Sequence, residues 1–291
     1  MSSTDAQDTP RHWLHYAANA AVILVLVIVC SSAYLRQASV RLNCPDWPTC
    51  AQRLTGEDPA RVQPAAERAA RLIHRLSASI AGALVLLIAY LSSVQRPRIR
   101  SDIALSAALV VLTVFLAVLG RWSRTSQAPL VTLGNLLGGM TLLALLHWMR
   151  LRTSRAQVSG RDAERLAPVA GAALVMALAC VALGALVSSA HAVTAVREAG
   201  GEWLASAHLA SGLLVLLLTA TLALHPAARQ GRSVGIATLT LAIAQALTGW
   251  ISTRFDQPLA LVLTHNLIAA LLLVTLVTAA HRTTGASRAH R

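Results

Sequence analysis

The sequence predicts an all-α, polytopic membrane protein with eight transmembrane helices, arranged as two pseudo-symmetric four-helix bundles. Three observations carry that prediction. The 291-residue chain is 55% hydrophobic and 13% charged, with a mean hydropathy of +0.59, which is more apolar surface than one soluble core can bury. Its apolar residues fall into eight stretches, each long enough to cross a hydrocarbon layer of roughly 30 Å as helix. Runs of this length exclude barrel strands, which alternate over about ten residues. Finally, the second half of the chain repeats the plan of the first.

The first stretch, 14–35, is long for the apolar region of a cleaved signal peptide, and cleavage there would leave seven spans, so it is read as a retained helix. Stretches 72–94, 103–120 and 129–149 complete an N-terminal unit, residues 1–150. The Arg-rich linker "MRLRTSRAQVSGRDAERLAP" leads into stretches 166–188, 203–224, 234–252 and 258–280 of a C-terminal unit, residues 151–291. Helix 2 carries "RLIHRLSASIAGALVLL" and helix 6 "ASAHLASGLLVLLL", each with a histidine close to its outer end. Between helices 3 and 4 the chain reads "LGRWSRTSQAPLVTLGN", and between helices 7 and 8 "TGWISTRFDQPLALVLTHN". Gly120 precedes Pro129 by the same interval as Gly249 precedes Pro258, and the register slips by one residue beyond the prolines. Two related four-helix units facing the same way in the membrane account for this pattern.

All 25 basic residues are Arg. With the N-terminus inside, the inner segments hold 14 Arg against five acids and the outer segments 11 against seven. The bias places both termini in the cytoplasm of a bacterium whose inner membrane holds the protein. The net charge of +13 would suggest nucleic acid in a soluble chain. Here it is read as positive flanks set against anionic lipid, with no nucleic-acid partner.

The octapeptide "NCPDWPTC" follows helix 1 on the outer, oxidising side, so Cys44 and Cys50 are expected to form a disulfide that closes a short, proline-stiffened loop. A metal site would want further Cys or His in the loop, and two free thiols are the remaining alternative. Cys30 and Cys180 fall inside helices 1 and 5, where a lone Cys behaves as a small apolar residue.

Of ten histidines, His74, His208 and His265 each sit on an even-numbered helix, one to two turns below the outer surface. Ionisable side chains at that depth are rare unless paired, hydrogen-bonded or bound to a ligand. A satisfied polar contact explains each one singly, and a shared depth in a repeat favours ligation. His208 and His265, on corresponding helices of one unit, could hold a haem iron by both axial positions. Zinc would need further Cys, Asp or Glu at that depth. His147, near the inner end of helix 4, is expected to sit in the membrane interface.

The "CPDWPTC" loop, the "HR" at the start of helix 2, the "HL" near the start of helix 6 and the "THNLIAALLL" of helix 8 resemble the haem A synthase family of cytochrome oxidase assembly. The resemblance covers all eight helices. It implies oxidation of a porphyrin methyl group of haem O to the formyl group of haem A. It also implies one haem b held by His208 and His265, with substrate haem O in the N-terminal half on His74. Membrane lipid, haem O synthase and cytochrome oxidase assembly proteins are the partners it implies.

Two departures accompany the match. The family carries a glutamate three residues before the helix 2 histidine, where this chain has Arg71, and its helix 4 histidine is replaced by Asn135. The second cysteine pair of some members is absent from residues 189–202. His147 cannot substitute for Asn135, because twelve residues of helix span about 18 Å. Glu67, Arg71 and His74 share one helix face. Glu67 lies about 10.5 Å along the axis from His74, so either it replaces the missing acid or it pairs with Arg71 at the surface. Arg71 and Arg75 are expected partners for haem propionates, because a guanidinium fork matches a carboxylate. Three functional readings follow. One is a haem A synthase-like oxidoreductase with an open iron position opposite His74. Another is a catalytically decayed membrane haem b protein serving electron transfer or haem delivery. The third is a bundle without cofactor.

Overall fold

The computed structural model describes residues 3–41, 65–122, 129–154, 161–190, 201–225, 232–255 and 258–288. Cys44, Cys50 and His191 lie outside these residues, and so does the expected disulfide. The described chain forms α1 (Ser3–Arg41), α2 (Ala65–Val94), α3 (Arg100–Trp122), α4 (Pro129–Thr153), a 3-10 turn (Arg161–Leu166), α5 (Ala167–Ala190), α6 (Gly201–Leu224), α7 (Arg232–Arg254) and α8 (Leu259–Arg288). All eight α-helices are long and apolar enough to cross a membrane. Each expected stretch falls on one of these helices, and the chain is a multi-pass membrane protein. The helices also run past the apolar stretches, because backbone hydrogen bonding continues where hydropathy ends. α2 starts at Ala65 rather than near position 72, and so takes Glu67 and Arg71 into its first two turns.

Helix adjacency follows the same order in both halves. α1 packs on α2, α2 on α3, α3 on α4 and α4 back on α1, while α5 to α8 close a second ring in the same way. Within each ring the helices carrying His74 and Asn135, or His208 and His265, are diagonal rather than adjacent. The rings join through α4 against α5 and α8, and through α1 against α8. α8 is a shared wall: Ala270, Leu273 and Val277 enter the core of the first ring, while Leu272, Leu276 and Ala279 enter that of the second. Residues three and four apart lie on one helical stripe, so α8 turns a separate stripe to each core.

Close packing relies on small residues, as it must where lipid is as apolar as the side chains. Leu119 and Leu116 of α3 fill the notches left by Gly134 and Gly138 of α4, where a Cβ would meet each leucine Cδ2 at 2.7 Å. On α7, a Cβ at Gly235 would lie 2.8 Å from the Leu222 carbonyl oxygen of α6. Outward faces carry large apolar side chains such as Leu86, Val111, Phe115 and Leu217, suited to lipid contact.

Polar contacts gather at the end holding the N-terminus of α1. Arg152 of α4 donates to Asp102 of α3 through Nε at 2.7 Å, and Gln95 Nε2 reaches the other Asp102 oxygen at 3.4 Å. His147 is buried between helices, 2% exposed. Its Nδ1 accepts from Arg150 Nε at 3.2 Å, and its Nε2 donates to Thr278 Oγ1 of α8 at 2.8 Å. Thr278 passes its own proton to the Val274 carbonyl. Burial follows from α4 lying against α8 at the seam between the rings, which hydropathy along one helix does not report.

Candidate functional site

His208 enters from the seventh residue after the start of α6 and lies against α5. Its Nδ1 is 3.0 Å from the Cys180 carbonyl oxygen, with Cys180 Sγ at 3.5 Å. A carbonyl only accepts, so Nδ1 carries the proton and donates, and Nε2 keeps the lone pair. One turn beyond Cys180, Gly184 leaves room for the ring: a Cβ there would lie 2.9 Å from His208 Cε1.

His265 of α8 repeats the arrangement against α7. Thr248 donates its single hydroxyl proton to the Ala244 carbonyl at 2.8 Å, so Oγ1 accepts from His265 Nδ1 at 3.3 Å. The lone pair again lies on Nε2, where Gln245 Nε2 approaches to 2.9 Å. Gly249 opens the space, since a Cβ would stand 3.0 Å from His265 Cε1. The two imidazoles are within electrostatic reach of each other.

In the first ring, His74 of α2 turns to α1. Ser31 Oγ donates to the Val27 carbonyl at 2.8 Å and accepts from His74 Nδ1 at 3.3 Å. His74 therefore shows the same tautomer as His208 and His265, with Nδ1–H held by the preceding helix. His147 shows the opposite one, which leaves its Nε2 no lone pair and marks it as structural.

Glu67 pairs with Arg71, whose Nε and Nη2 lie 3.2 and 2.5 Å from Glu67 Oε1. The pair is not at the surface on its acidic side: Glu67 is 3% exposed. Arg71 is thus turned to Glu67, while Arg75 is exposed and within electrostatic reach of His74. So is Arg36 of α1, which donates to Ser32 Oγ at 2.9 Å. Asn135 is half-buried on α4, beside the Gly134 notch that Leu119 fills.

Metal-bound imidazoles usually give their second N–H to a carbonyl or another fixed acceptor, which orients the ring and frees the other nitrogen. All three histidines meet that condition, and two also have a glycine cradle. The donor set therefore fits a haem that His208 of α6 and His265 of α8 would hold, and a second that His74 of α2 would hold. The sequence reading missed Ser31, Arg36, Cys180, Gly184, Gln245 and Thr248. Their pairing with the histidines depends on antiparallel register across loops, so no motif could have found them. Gly249 was visible only as a marker of the repeat.

These features define a multi-pass helical membrane protein whose rings carry partly buried histidines docked on neighbouring helices. The chain belongs to the COX15-CtaA family, cytochrome oxidase assembly protein, whose profile matches residues 15–211. That match contains His74, Asn135 and His208. The chain is also 28% identical over 312 aligned positions to a Shewanella oneidensis protein named heme A synthase, covering 88% of this chain and 92% of the relative.

Proposed function

We propose that the protein is a haem A synthase-type oxidoreductase of the bacterial inner membrane, with both termini cytoplasmic, acting in cytochrome oxidase assembly. The observation that carries this reading is the common tautomer of His74, His208 and His265, each with Nδ1–H docked and Nε2 left to ligate. The Shewanella relative is named heme A synthase, and the reaction that the family resemblance implies is oxidation of a methyl group of haem O to the formyl group of haem A.

His208 and His265 would hold a resident haem b, which bound by two imidazoles supplies electron transfer. His74 would bind the substrate haem O and orient its ring in the first unit. Arg75 and Arg36 would answer the propionates, and Arg71 would stay with Glu67. Haem O synthase and oxidase assembly proteins are the natural partners for delivery and removal. Arg71 and Asn135, standing where the family has a glutamate and a helix 4 histidine, favour a second reading, a haem b protein whose first pocket no longer turns over.

Pigment extraction from cells lacking and carrying the gene, in a host supplying haem O, decides between them. Haem A only with the gene supports the enzyme, and haem O alone in both supports the second reading.

A further inference from the structure

The amide of Gln245 is the one group drawn to the iron-binding nitrogen of His265, and its own hydrogen bonding is incomplete. Thr248 fixes the His265 tautomer, so Nε2 is an acceptor and Gln245 must present its NH2 there, at 2.9 Å. The opposite amide atom, Oε1, is then buried without a hydrogen-bond partner. A buried amide with its acceptor unmet has little besides His265 to hold it, and it gains by rotating away. A nitrogen lone pair serves one acceptor role at a time, so a donated N–H and an iron cannot share it.

We propose that Gln245 is a positioning residue of the second ring: its amide competes with iron for the Nε2 lone pair of His265 and so sets how readily that pocket takes up haem. The proposal rests on the reading of His208 and His265 as haem ligands. Between loadings, the amide also keeps the imidazole in the rotamer and tautomer that ligation needs. His208 has no such competitor among its recorded partners, which all lie on its Nδ1 side or its backbone. The two ligands are therefore unequal, and uptake begins on His208 and finishes when Gln245 releases His265.

The test is stopped-flow uptake of haem b by the full chain, purified without haem in detergent, for wild type and Gln245→Met. Methionine matches glutamine in length and lacks the N–H donor. Removing one hydrogen bond of ordinary net strength should speed formation of the low-spin, bis-imidazole spectrum about five- to tenfold, with the final spectrum unchanged. In a His265→Ala background, with uptake followed as total haem bound rather than by the bis-imidazole spectrum, the same substitution should change nothing, because the competition no longer exists. Uptake within twofold of wild type, or a gain that persists without His265, overturns the role of Gln245 alone. A wild-type protein that never develops a bis-imidazole spectrum overturns the ligand assignment itself, whatever Gln245→Met does.

Discussion

Gly184 of α5 stands so close to His208 of α6 that a Cβ at position 184 would lie 2.9 Å from Cε1 and 3.4 Å from Nδ1. The Cys180 carbonyl, one turn earlier on α5, takes the Nδ1 proton at 3.0 Å. A hydrogen bond and a missing methyl group on one helix face together fix the orientation of a ring on another. Gly249 and Thr248 do the same for His265.

Gly184→Ala should therefore push the His208 ring out of line. Overpacking of this kind costs about 1–3 kcal/mol, enough to weaken haem retention by roughly tenfold or more. Gly249→Ala, with 3.0 Å in place of 2.9 Å, should have a smaller effect of the same sign. Haem content and the low-spin absorbance of the purified variants measure this, and full retention in both would remove the cradle from the argument.

His208→Ala and His265→Ala should each abolish the low-spin spectrum, leaving either no haem or high-spin haem. The proteins should stay folded, since both side chains are only half-buried. Spectra of both single variants that match wild type would show the second ring to be misassigned.

His74→Ala should eliminate haem A formation while the spectrum of the second ring persists, because His74 docks on α1, away from α6 and α7. Asn135→His, on the diagonal helix, should close the open side and slow turnover. Glu67→Gln should change haem A formation by no more than about twofold if the carboxylate serves Arg71 alone. With Arg71 40% exposed, the lost ion pair is worth about 1 kcal/mol or less. Chromatography of extracted pigments reads all three, and a severe loss in Glu67→Gln would give that residue a role in the chemistry.

Asp102→Ala should lower thermal stability without touching either pocket. The Asp102–Arg152 pair is largely buried, with side chains 2% and 15% exposed, and removing one partner of such a pair costs about 3–5 kcal/mol. A fall of several degrees in the unfolding midpoint, with normal haem content, is the expected result. An unchanged midpoint would show that Arg152 finds another acceptor.

Cys44 and Cys50 should resist thiol reagents until reduced, as a pair on the oxidising side would. Complete labelling of both in intact cells without reductant would exclude the disulfide. Labelling only after the membrane is opened would contradict the proposed orientation.

What the sequence determined by itself is the number and place of the spans, because hydropathy is a sum over neighbours along one chain and eight such sums exceed the cost of crossing lipid. It also singled out His74, His208 and His265, since an imidazole inside an apolar helix stands out without knowledge of its surroundings. Tertiary structure alone decided which ring nitrogen of each histidine is docked on a neighbouring helix, that His147 is buried in the opposite tautomer, and that Glu67 is buried. The division of α8 between two cores and the hold of Gln245 on His265 were settled at the same level. Each of these turns on atoms about 3 Å apart on different helices, and such distances are set by loop lengths, helix rotation and small-residue notches acting together. Composition along any one helix carries no record of them.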